Sequence, residues 1–291
     1  MTTLATKPAV GTLLRRWRRL RRLSQLELGL HADISARHIS YVETGRSRPS
    51  RAMVLRLCEA LEVPLRERNT LLLAGGYAPE YGESALDDTA LAAVRSALEV
   101  VLTTHEPYPA VVVDRLWNVV LGNRAMAVLM AGIPEELRTP HPNVYRLVLH
   151  PRGLSAQLRN GHQIRELFLQ RLIRQAEATG DDRLRALYDE VAAYPVPEPD
   201  PDAEIAPGPF EVPLRIRTPA GELSMFSTMA TFGAPADVTL SELAIELFYP
   251  LDEFTRATLR AAAGRPVSRS APREWWTSVP PIPGTRRACP R

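Results

Sequence analysis

The stretch from Ser24 to Ser50 constrains the fold more than any other, because signals that start and stop helices follow one another at short spacings. Ser24-Gln25-Leu26-Glu27 has the spacing of a capping box, which predicts a helix that begins at Gln25. Ile34-Ser35 predicts the start of another helix, and Gly45 predicts its end because glycine tolerates a positive φ. The sequence therefore predicts two short helices joined by a tight turn.

Apolar spacing predicts three further helices around this pair. Before the pair, apolar residues recur at i, i+4 and i+7, as on one face of an amphipathic helix, at Leu13, Trp17 and Leu20. After it, Pro49-Ser50 and Pro64 each precede an apolar pattern and predict the starts of a fourth and a fifth helix. We therefore expect residues 10–76 to form an all-α bundle of five short helices, in which Gly29 allows close helix packing.

Charge is distributed unevenly along the chain. Residues 1–81 carry 14 Lys and Arg against 7 Asp and Glu, whereas residues 82–263 carry 16 against 25. A basic block on an acidic body indicates that the N-terminal part binds a polyanion. Most of the arginine run at 15–22 is predicted to be a solvated helix face, but Arg18 is placed to form an internal ion pair with Glu43.

The sequence lacks recognisable motifs for catalysis, metal binding and membrane insertion. No stretch approaches the ~18 uninterrupted apolar residues of a membrane span, and the six histidines show no metal-ligand spacing. A nucleophile elbow, a P-loop and a dinucleotide fingerprint are all missing. We therefore predict no metal, no cofactor, no membrane insertion and no enzymatic activity, and we expect Asp114, Glu246 and Asp252 to be surface or capping groups.

The predicted third helix has the layout of a helix that reads DNA, with polar side chains on one face and Ile39 and Val42 on the other. Four motifs accompany it: a Ser-Gln start at 24–25, Ile-Ser at 34–35, Ile39-Ser40-x-Val42-Glu43-x-Gly45, and Arg-Pro-Ser at 48–50. On these motifs, residues 10–75 resemble the helix-turn-helix domain of the phage-repressor or xenobiotic-response-element (XRE) family.

This resemblance implies a domain that binds double-stranded operator DNA. By position, Gln25 would contact phosphate, and Arg37 is the best candidate for a bidentate contact to guanine O6 and N7. Arg46 and Arg48 would add charge near the phosphate backbone. The full set of predicted DNA-contacting residues is Gln25, Ser35, Ala36, Arg37, His38, Tyr41, Arg46 and Arg48.

Residues 85–263 are predicted to form a second, α+β domain after a linker at 77–84. Two strands are expected between Tyr108 and Leu121, helices at 123–130, 143–149 and 162–193, and strands at 212–217, 222–232 and 242–248. The stretch from Pro195 to Pro219 holds 8 prolines and is predicted to be an extended loop. Residues 1–9 are expected to be a loose leader and residues 264–291 a disordered Pro- and Arg-rich tail.

Several short stretches of this half carry a second resemblance. They are Tyr108-Pro109-Ala110, Asp114-Arg115-x-Trp117, Asn123-Arg124-Ala125, Leu149-His150-Pro151-x-Gly153-Leu154, Arg217-Thr218-Pro219 with Gly221-Glu222-Leu223-Ser224, and the block from Phe232 to Leu243 that ends at Phe248-Tyr249-Pro250. On them, the half resembles the ligand-binding domain of MmyB-like transcription regulators, a PAS-like fold with a mostly antiparallel sheet. The resemblance implies a pocket for a small apolar ligand such as a fatty-acyl-like molecule.

Large apolar side chains on the predicted strands and helices are the candidates for lining such a pocket. The predicted ligand-contacting residues are Val113, Trp117, Leu121, Leu147, Phe168, Phe226, Phe232 and Phe248. For any single one of them, an ordinary hydrophobic core is the simpler interpretation.

The sequence thus predicts a cytoplasmic, nucleoid-associated transcription regulator that binds operator DNA as a homodimer and senses a small apolar molecule. Two alternatives remain open. In one, the second domain is an enzyme that the first domain tethers to DNA. In the other, the second domain has a filled core and only dimerises or binds a protein partner.

Overall fold

The computed structural model describes residues 9–86, 88–196 and 212–263. The predicted tail, nearly all of the predicted leader and most of the proline-rich loop lie outside the described residues. The described residues form two compact units: residues 9–84 together with Ala234–Ser241, and the described residues between 85 and 233 together with residues 242–263. No helix in the described ranges is both long and apolar enough to cross a membrane.

Five helices form the N-terminal part of the first unit, as the sequence predicts. They are α1 (Val10–Leu20), α2 (Gln25–Ala32), α3 (Ala36–Glu43), α4 (Arg51–Ala60) and α5 (Leu65–Ala74). Their inner faces form one apolar core that includes Leu14, Trp17, Leu28, Ile39, Val42, Val54, Leu57 and Cys58.

Local side-chain caps set the starts of these helices. The Ser24 hydroxyl accepts the Glu27 N–H at 3.1 Å, and the Glu27 carboxylate accepts the Ser24 N–H at 2.7 Å, so the predicted capping box is present. The Ser35 hydroxyl caps α3 by accepting the His38 N–H at 3.2 Å. Just beyond α3, Gly45 has φ of +75°, as its predicted role as a helix stop requires.

Two glycines allow the helices to pack unusually closely. A Cβ atom on Gly29 would lie 2.5 Å from the Ile34 carbonyl oxygen, and one on Gly11 would lie 2.1 Å from the Val42 carbonyl oxygen. Both distances are shorter than any real carbon–oxygen contact, so α1, α2 and the region of α3 approach one another only because these residues have no side chain.

A buried carboxylate connects α1, α2 and α3. The Glu43 side chain is only 1% exposed and accepts hydrogen bonds from Arg18 Nε at 2.6 Å and Arg18 Nη2 at 2.9 Å. Gln25 Nε2 also donates to it at 2.9 Å, and Arg15 Nε does so at 3.3 Å. Burial raises the pKa of Glu43, but the hydrogen bonds from Arg18 and Gln25 lower it more, so its pKa lies below the ordinary value. The predicted Arg18–Glu43 ion pair is confirmed.

The second unit is an α+β fold around a five-stranded sheet. Its helices are α6 (Ala92–Thr104), α7 (Met126–Leu129), α8 (Glu135–Arg138), α9 (Val144–Leu149), α10 (Gly161–Thr179), α11 (Asp182–Ala192) and α13 (Glu253–Ala263). The short helix α12 (Val238–Ser241), which precedes the last strand, belongs to the first unit. Short 3₁₀ turns lie at Thr89–Leu91 and Leu154–Ala156. The strands are β1 (Ala110–Val113), β2 (Val119–Gly122), β3 (Leu214–Thr218), β4 (Gly221–Thr231) and β5 (Ala244–Pro250).

The strands follow the order β2-β1-β5-β4-β3, and each neighbouring pair is antiparallel. One face of the sheet, with Val111 and Phe248, packs against a large core built by α9, α10 and α11. The opposite face, with Val112 and Ile245, packs against Leu98 of α6. The predicted α+β class with an antiparallel sheet is therefore confirmed.

Several predicted boundaries in this unit are wrong. The helix predicted over 123–130 is limited to α7, because Asn123 uses its side chain to bind β1, accepting the Ala110 N–H at 3.0 Å. The last strand begins at Ala244 rather than at 242, since Val238–Ser241 is helical. Helix α13 has no counterpart among the predicted elements.

The segment Ala234–Ser241 belongs to the first unit although it connects β4 to β5. It is hydrogen-bonded to the chain just before residue 85: the Gly82 carbonyl accepts the Val238 N–H at 2.8 Å, and the Ser84 carbonyl accepts the Thr239 hydroxyl at 2.7 Å. The Asp237 carboxylate accepts the Ser84 N–H at 3.2 Å. Part of the chain between two sheet strands is thus held in the helical unit.

Replacing Glu43 tests how much the buried carboxylate stabilises the first unit. Glu43→Gln leaves the Arg18 guanidinium buried without its counter-charge, which typically costs about 3–5 kcal/mol. Cys58 is fully buried, and burial raises the pKa of its thiol to about 12, so it reacts only when the unit opens. In a Cys289→Ser background, we expect Glu43→Gln to raise the rate of Cys58 labelling by roughly a hundredfold or more.

Glu59→Gln provides the matched control, since Glu59 is exposed on α4 and its replacement should leave the labelling rate nearly unchanged. Because the pKa of Glu43 is lowered in the folded state, its stabilisation is present above the ordinary glutamate pKa of about 4.3 and is lost as pH falls through the lowered value. The difference between wild type and Glu43→Gln should therefore shrink at acid pH. Equal labelling rates for the two proteins at pH 7 would contradict the account.

Candidate DNA-binding surface and candidate ligand pocket

The outer face of α3 presents Arg37 and Tyr41 as a pair. Arg37 is exposed and Tyr41 is half-buried. Arg37 Nε donates to the Tyr41 hydroxyl at 2.9 Å, and the guanidinium carbon lies 5.4 Å from the centre of the tyrosine ring. Within the described residues the two Nη groups of Arg37 have no partner, so the pairing leaves the donors needed for a bidentate contact available.

Three other predicted residues lie near this pair. Ser35 is exposed and uses its hydroxyl oxygen to cap α3, and Ala36 is the half-buried first residue of the helix. His38 is half-buried, with Nε2 3.5 Å from the Ser47 hydroxyl. Together with Arg37 and Tyr41 they belong to one helix and its N-terminal cap.

The remaining three predicted residues differ in whether their side chains already have partners within the protein. Arg46 is exposed, and its side chain has no partner within the described ranges. Arg48 donates to the Gly75 carbonyl at 2.9 Å and lies over the Tyr77 ring at 5.7 Å, so it links the turn after α3 to the end of α5. The Gln25 side-chain N–H is used by Glu43. Sequence reasoning did not anticipate these two internal roles.

The arginine run on α1 also divides into internal and exposed members. Arg18 binds Glu43, and Arg21 Nε donates to the Leu61 carbonyl at 2.9 Å. Arg19 is exposed. Helix α1 thus mainly supports the bundle, and only part of its charge faces solvent.

A cavity of about 80 Å³ lies in the second unit between the sheet and the helices. Its walls are mostly apolar and come from all five strands and from α7, α9 and α10. Four of the predicted ligand-contacting residues line it: Leu147, Phe168, Phe226 and Phe248. The volume is well below the ~300–1,000 Å³ of typical ligand pockets, so a larger ligand requires the cavity to expand.

The other four predicted residues do not line this cavity. Val113 and Trp117 are buried in the same core beside it. Leu121 pairs with Val112 and lies with Phe232 in the core on the opposite face of the sheet. Since side chains on neighbouring positions of a strand point to opposite faces, Leu121 and Phe232 drop out of the candidate pocket set.

Three polar side chains share the cavity wall with the apolar ones: Arg171, Ser227 and Glu246. The Ser227 hydroxyl donates to Glu246 Oε1 at 2.7 Å, and Glu246 is only 5% exposed. Burial raises the pKa of Glu246 above its ordinary value. The prediction that Glu246 is a surface or capping group is therefore wrong. Its inward position on β5, two residues before Phe248, is the signal that reveals it.

The prediction of a surface or capping role is confirmed for Asp114 and Asp252. Asp114 accepts the Leu116 and Asn118 N–H groups at 2.8 and 2.9 Å in the turn after β1. Asp252 accepts the Thr255 N–H at 2.6 Å at the start of α13. Within the described part of the chain, no three His, Cys, Asp or Glu side chains are grouped to hold a metal ion.

The comparison with protein families agrees with this geometry. The sequence model of a helix-turn-helix domain matches residues 9–71. The model of the MmyB-like transcription regulator ligand binding domain matches residues 94–262, which is more than half of the chain. The chain belongs to the MmyB-like transcription regulators. Among curated proteins, none matches the sequence.

As an MmyB-like regulator, the protein combines a helix-turn-helix DNA-binding domain with a ligand-binding domain. The first match covers the helices that hold Arg37 and Tyr41, and the second covers every strand around the cavity. DNA and a small molecule are thus the two kinds of partner that the family implies.

Proposed function

We propose that this MmyB-like regulator is a homodimer that binds a specific operator through α3 and changes its operator affinity when a small apolar ligand occupies the cavity between the sheet and α10. The DNA-binding half is supported most directly by the exposed Arg37, which is hydrogen-bonded to the half-buried Tyr41 on a helix whose inner face is buried. Two copies of α3 would enter major grooves about 34 Å apart. The protein would then act where DNA is, in the cytoplasm and at the nucleoid.

Base reading is assigned to Arg37, supported by Tyr41. The Nη groups of Arg37 match guanine O6 and N7, and the hydrogen bond from Nε to the Tyr41 hydroxyl holds the guanidinium in place. Ser35, Ala36 and His38 lie at the N-terminal part of the same helix, where side chains meet base edges or phosphates. Gln25 and Arg48 stabilise the bundle around α3 through their hydrogen bonds to Glu43 and to the Gly75 carbonyl. The exposed Arg46 adds positive charge near the end of α3.

Arg37→Ala should weaken binding to the operator much more than binding to unrelated DNA, so that the protein loses its discrimination between the two. With operators selected from random duplexes by the wild-type protein, we expect about a ten- to hundredfold loss for the selected site and little change for unrelated DNA. The measurement is a competition binding assay between selected and scrambled duplexes at fixed salt. Arg19→Ala, which removes an exposed arginine from α1, is the control, and equal loss of discrimination in both variants would contradict the assignment.

Salt dependence separates Arg46 from Arg48. If Arg46 meets a phosphate, Arg46→Ala should reduce the slope of log affinity against log salt by about 0.9 without changing stability. Arg48→Ala should instead destabilise the first unit by about 1–2 kcal/mol, because its guanidinium hydrogen-bonds the Gly75 carbonyl. A reversed pattern, with a lower slope for Arg48→Ala and an unstable Arg46→Ala, would show that the two roles are exchanged.

The proposed effect of the ligand on operator affinity is supported by the segment of chain that connects β4 to β5. Strands β4 and β5 carry the cavity residues Phe226, Ser227, Glu246 and Phe248, and the segment between these strands is hydrogen-bonded to residues 82–84 in the helical unit. A ligand that alters the two strands would therefore alter this segment. The shift in operator affinity is limited by how differently the ligand binds the two conformations.

Asp237→Ala should weaken the coupling between ligand and operator. The substitution removes the acceptor of the Ser84 N–H and the cap on the Thr239 N–H at 2.8 Å. We expect operator affinity without ligand to stay within about twofold, and the change caused by 1-octanol, used as an apolar probe, to fall by at least half. Both quantities come from operator titrations with and without the probe.

Asp88→Ala is the matched control, since Asp88 also caps a turn, by accepting the Ala90 N–H at 3.2 Å, but has no contact with Asp237. This variant should keep the full response. An unchanged response in Asp237→Ala would contradict the route through this segment. If 1-octanol binds wild type without any change in operator affinity, the coupling itself is wrong, and a second domain that acts through protein contacts becomes the better interpretation.

A further inference from the structure

The cavity contains more polar chemistry than an apolar ligand alone requires. Glu246 lies at the centre of the sheet, opposite Val111 of β1 and Met229 of β4. Its Oε1 accepts the Ser227 hydroxyl, but within the described residues its Oε2 has no hydrogen-bond donor. A carboxyl group this deeply buried is costly unless its oxygens find partners, so Oε2 marks a place for a donor that the protein does not supply.

Arg171 and Tyr145 have the opposite deficit, because each has a hydrogen-bond donor but no acceptor for it. The guanidinium carbon of Arg171 lies 5.7 Å from the Trp117 ring and 5.8 Å from the Phe168 ring, and in the described part of the chain the group makes no hydrogen bond. The Tyr145 hydroxyl is fully buried and has no partner either. Both therefore have donors without an acceptor.

These three groups lie close enough to affect one another electrostatically. Burial is the main reason that the pKa of Tyr145 is raised, while Arg171 lowers it and Glu246 raises it further. Arg171 likewise lowers the pKa of Glu246, which burial raises. Glu246, an acceptor without a donor, and Arg171, a donor without an acceptor, thus line the same apolar cavity. Tyr145 lies behind its wall, with its ring 5.2 Å from that of the lining residue Phe168.

We propose that Glu246 and Arg171 bind the polar head of the ligand, and that this head is an uncharged group which both donates and accepts a hydrogen bond, such as a hydroxyl or a primary amide. Its oxygen accepts from Arg171, and its O–H or N–H donates to Glu246. When Glu246 is ionised, a carboxylate head has no donor for it and adds a second negative charge beside it. An ammonium head has no acceptor for Arg171. This inference rests on the proposed function, since it specifies the ligand of the same cavity.

The test compares three probes with one eight-carbon chain and different heads: 1-octanol, octanamide and octanoate. Delipidated full-length protein is titrated with each by calorimetry at pH 8. We expect 1-octanol and octanamide to bind at least tenfold more tightly than octanoate. In Glu246→Gln the side-chain amide can donate, so octanoate should bind at least tenfold more tightly than it does to wild type. Glu166→Gln, an exposed glutamate on α10, is the control and should bind like wild type.

A second variant keeps the inference testable if Glu246→Gln does not fold. Arg171→Met preserves the contacts with Trp117 and Phe168 but removes the donors, so it should weaken 1-octanol and octanamide at least tenfold. If octanoate binds wild type as tightly as 1-octanol, or if the Arg171→Met affinities equal those of wild type, the head-group assignment is wrong while the cavity remains a ligand site. If none of the three probes binds, the proposed ligand site itself is overturned.

Discussion

The Glu43 carboxylate is the interaction on which the DNA-binding half depends. It lies at the end of α3, is almost completely shielded from solvent and receives hydrogen bonds from Arg18 and Arg15 of α1 and from Gln25 of α2. These contacts fix the orientation of α3 from its inner side, together with the apolar packing of Ile39 and Val42. Because the inner side is fixed, the opposite side can expose Arg37 and Tyr41 in a defined geometry. A shift of α3 by about an ångström would remove the bidentate base contact proposed for Arg37, so the contacts of Glu43 would be needed for that proposed role.

The first domain was largely predictable because its signals are local. Capping residues and a stop glycine act over three or four positions, and the structure places helix starts at Gln25 and Ala36 as those signals indicate. The Arg18–Glu43 pair was also predictable from helix faces. The internal use of Arg48 was not, since its partner Gly75 lies 27 residues away along the chain. Sequence spacing cannot show which of several arginines finds a carbonyl at such a separation.

In the second domain the positions of the strands were predictable, but the face of the sheet on which each side chain lies was not. Alternation identifies β1 and β2, yet their register shifts between Val112 and Val113, so counting along the sequence does not show that Leu121 faces away from the cavity. Glu246 was misassigned for a related reason, because a single acidic residue in a strand is ordinarily solvent-facing. Its burial follows from the position of β5 between β1 and β4 at the centre of the sheet, which only the topology reveals. The polar groups of the cavity and the segment 234–241 are both products of this long-range arrangement, and both are central to the proposed response to ligand.

The most direct test of the account is a double-mutant cycle between Arg37 and the base that it is proposed to read. Operator affinity is measured for wild type and Arg37→Ala, each on the selected operator and on duplexes in which single guanines are replaced by 7-deazaguanine. The account predicts that at one guanine in each half-site the loss of N7 weakens wild type by about 1–3 kcal/mol and leaves Arg37→Ala unaffected. If the losses of binding free energy caused by Arg37→Ala and by the removal of N7 are additive at every guanine, Arg37 does not contact a base. In that case the outer face of α3 is not the recognition surface.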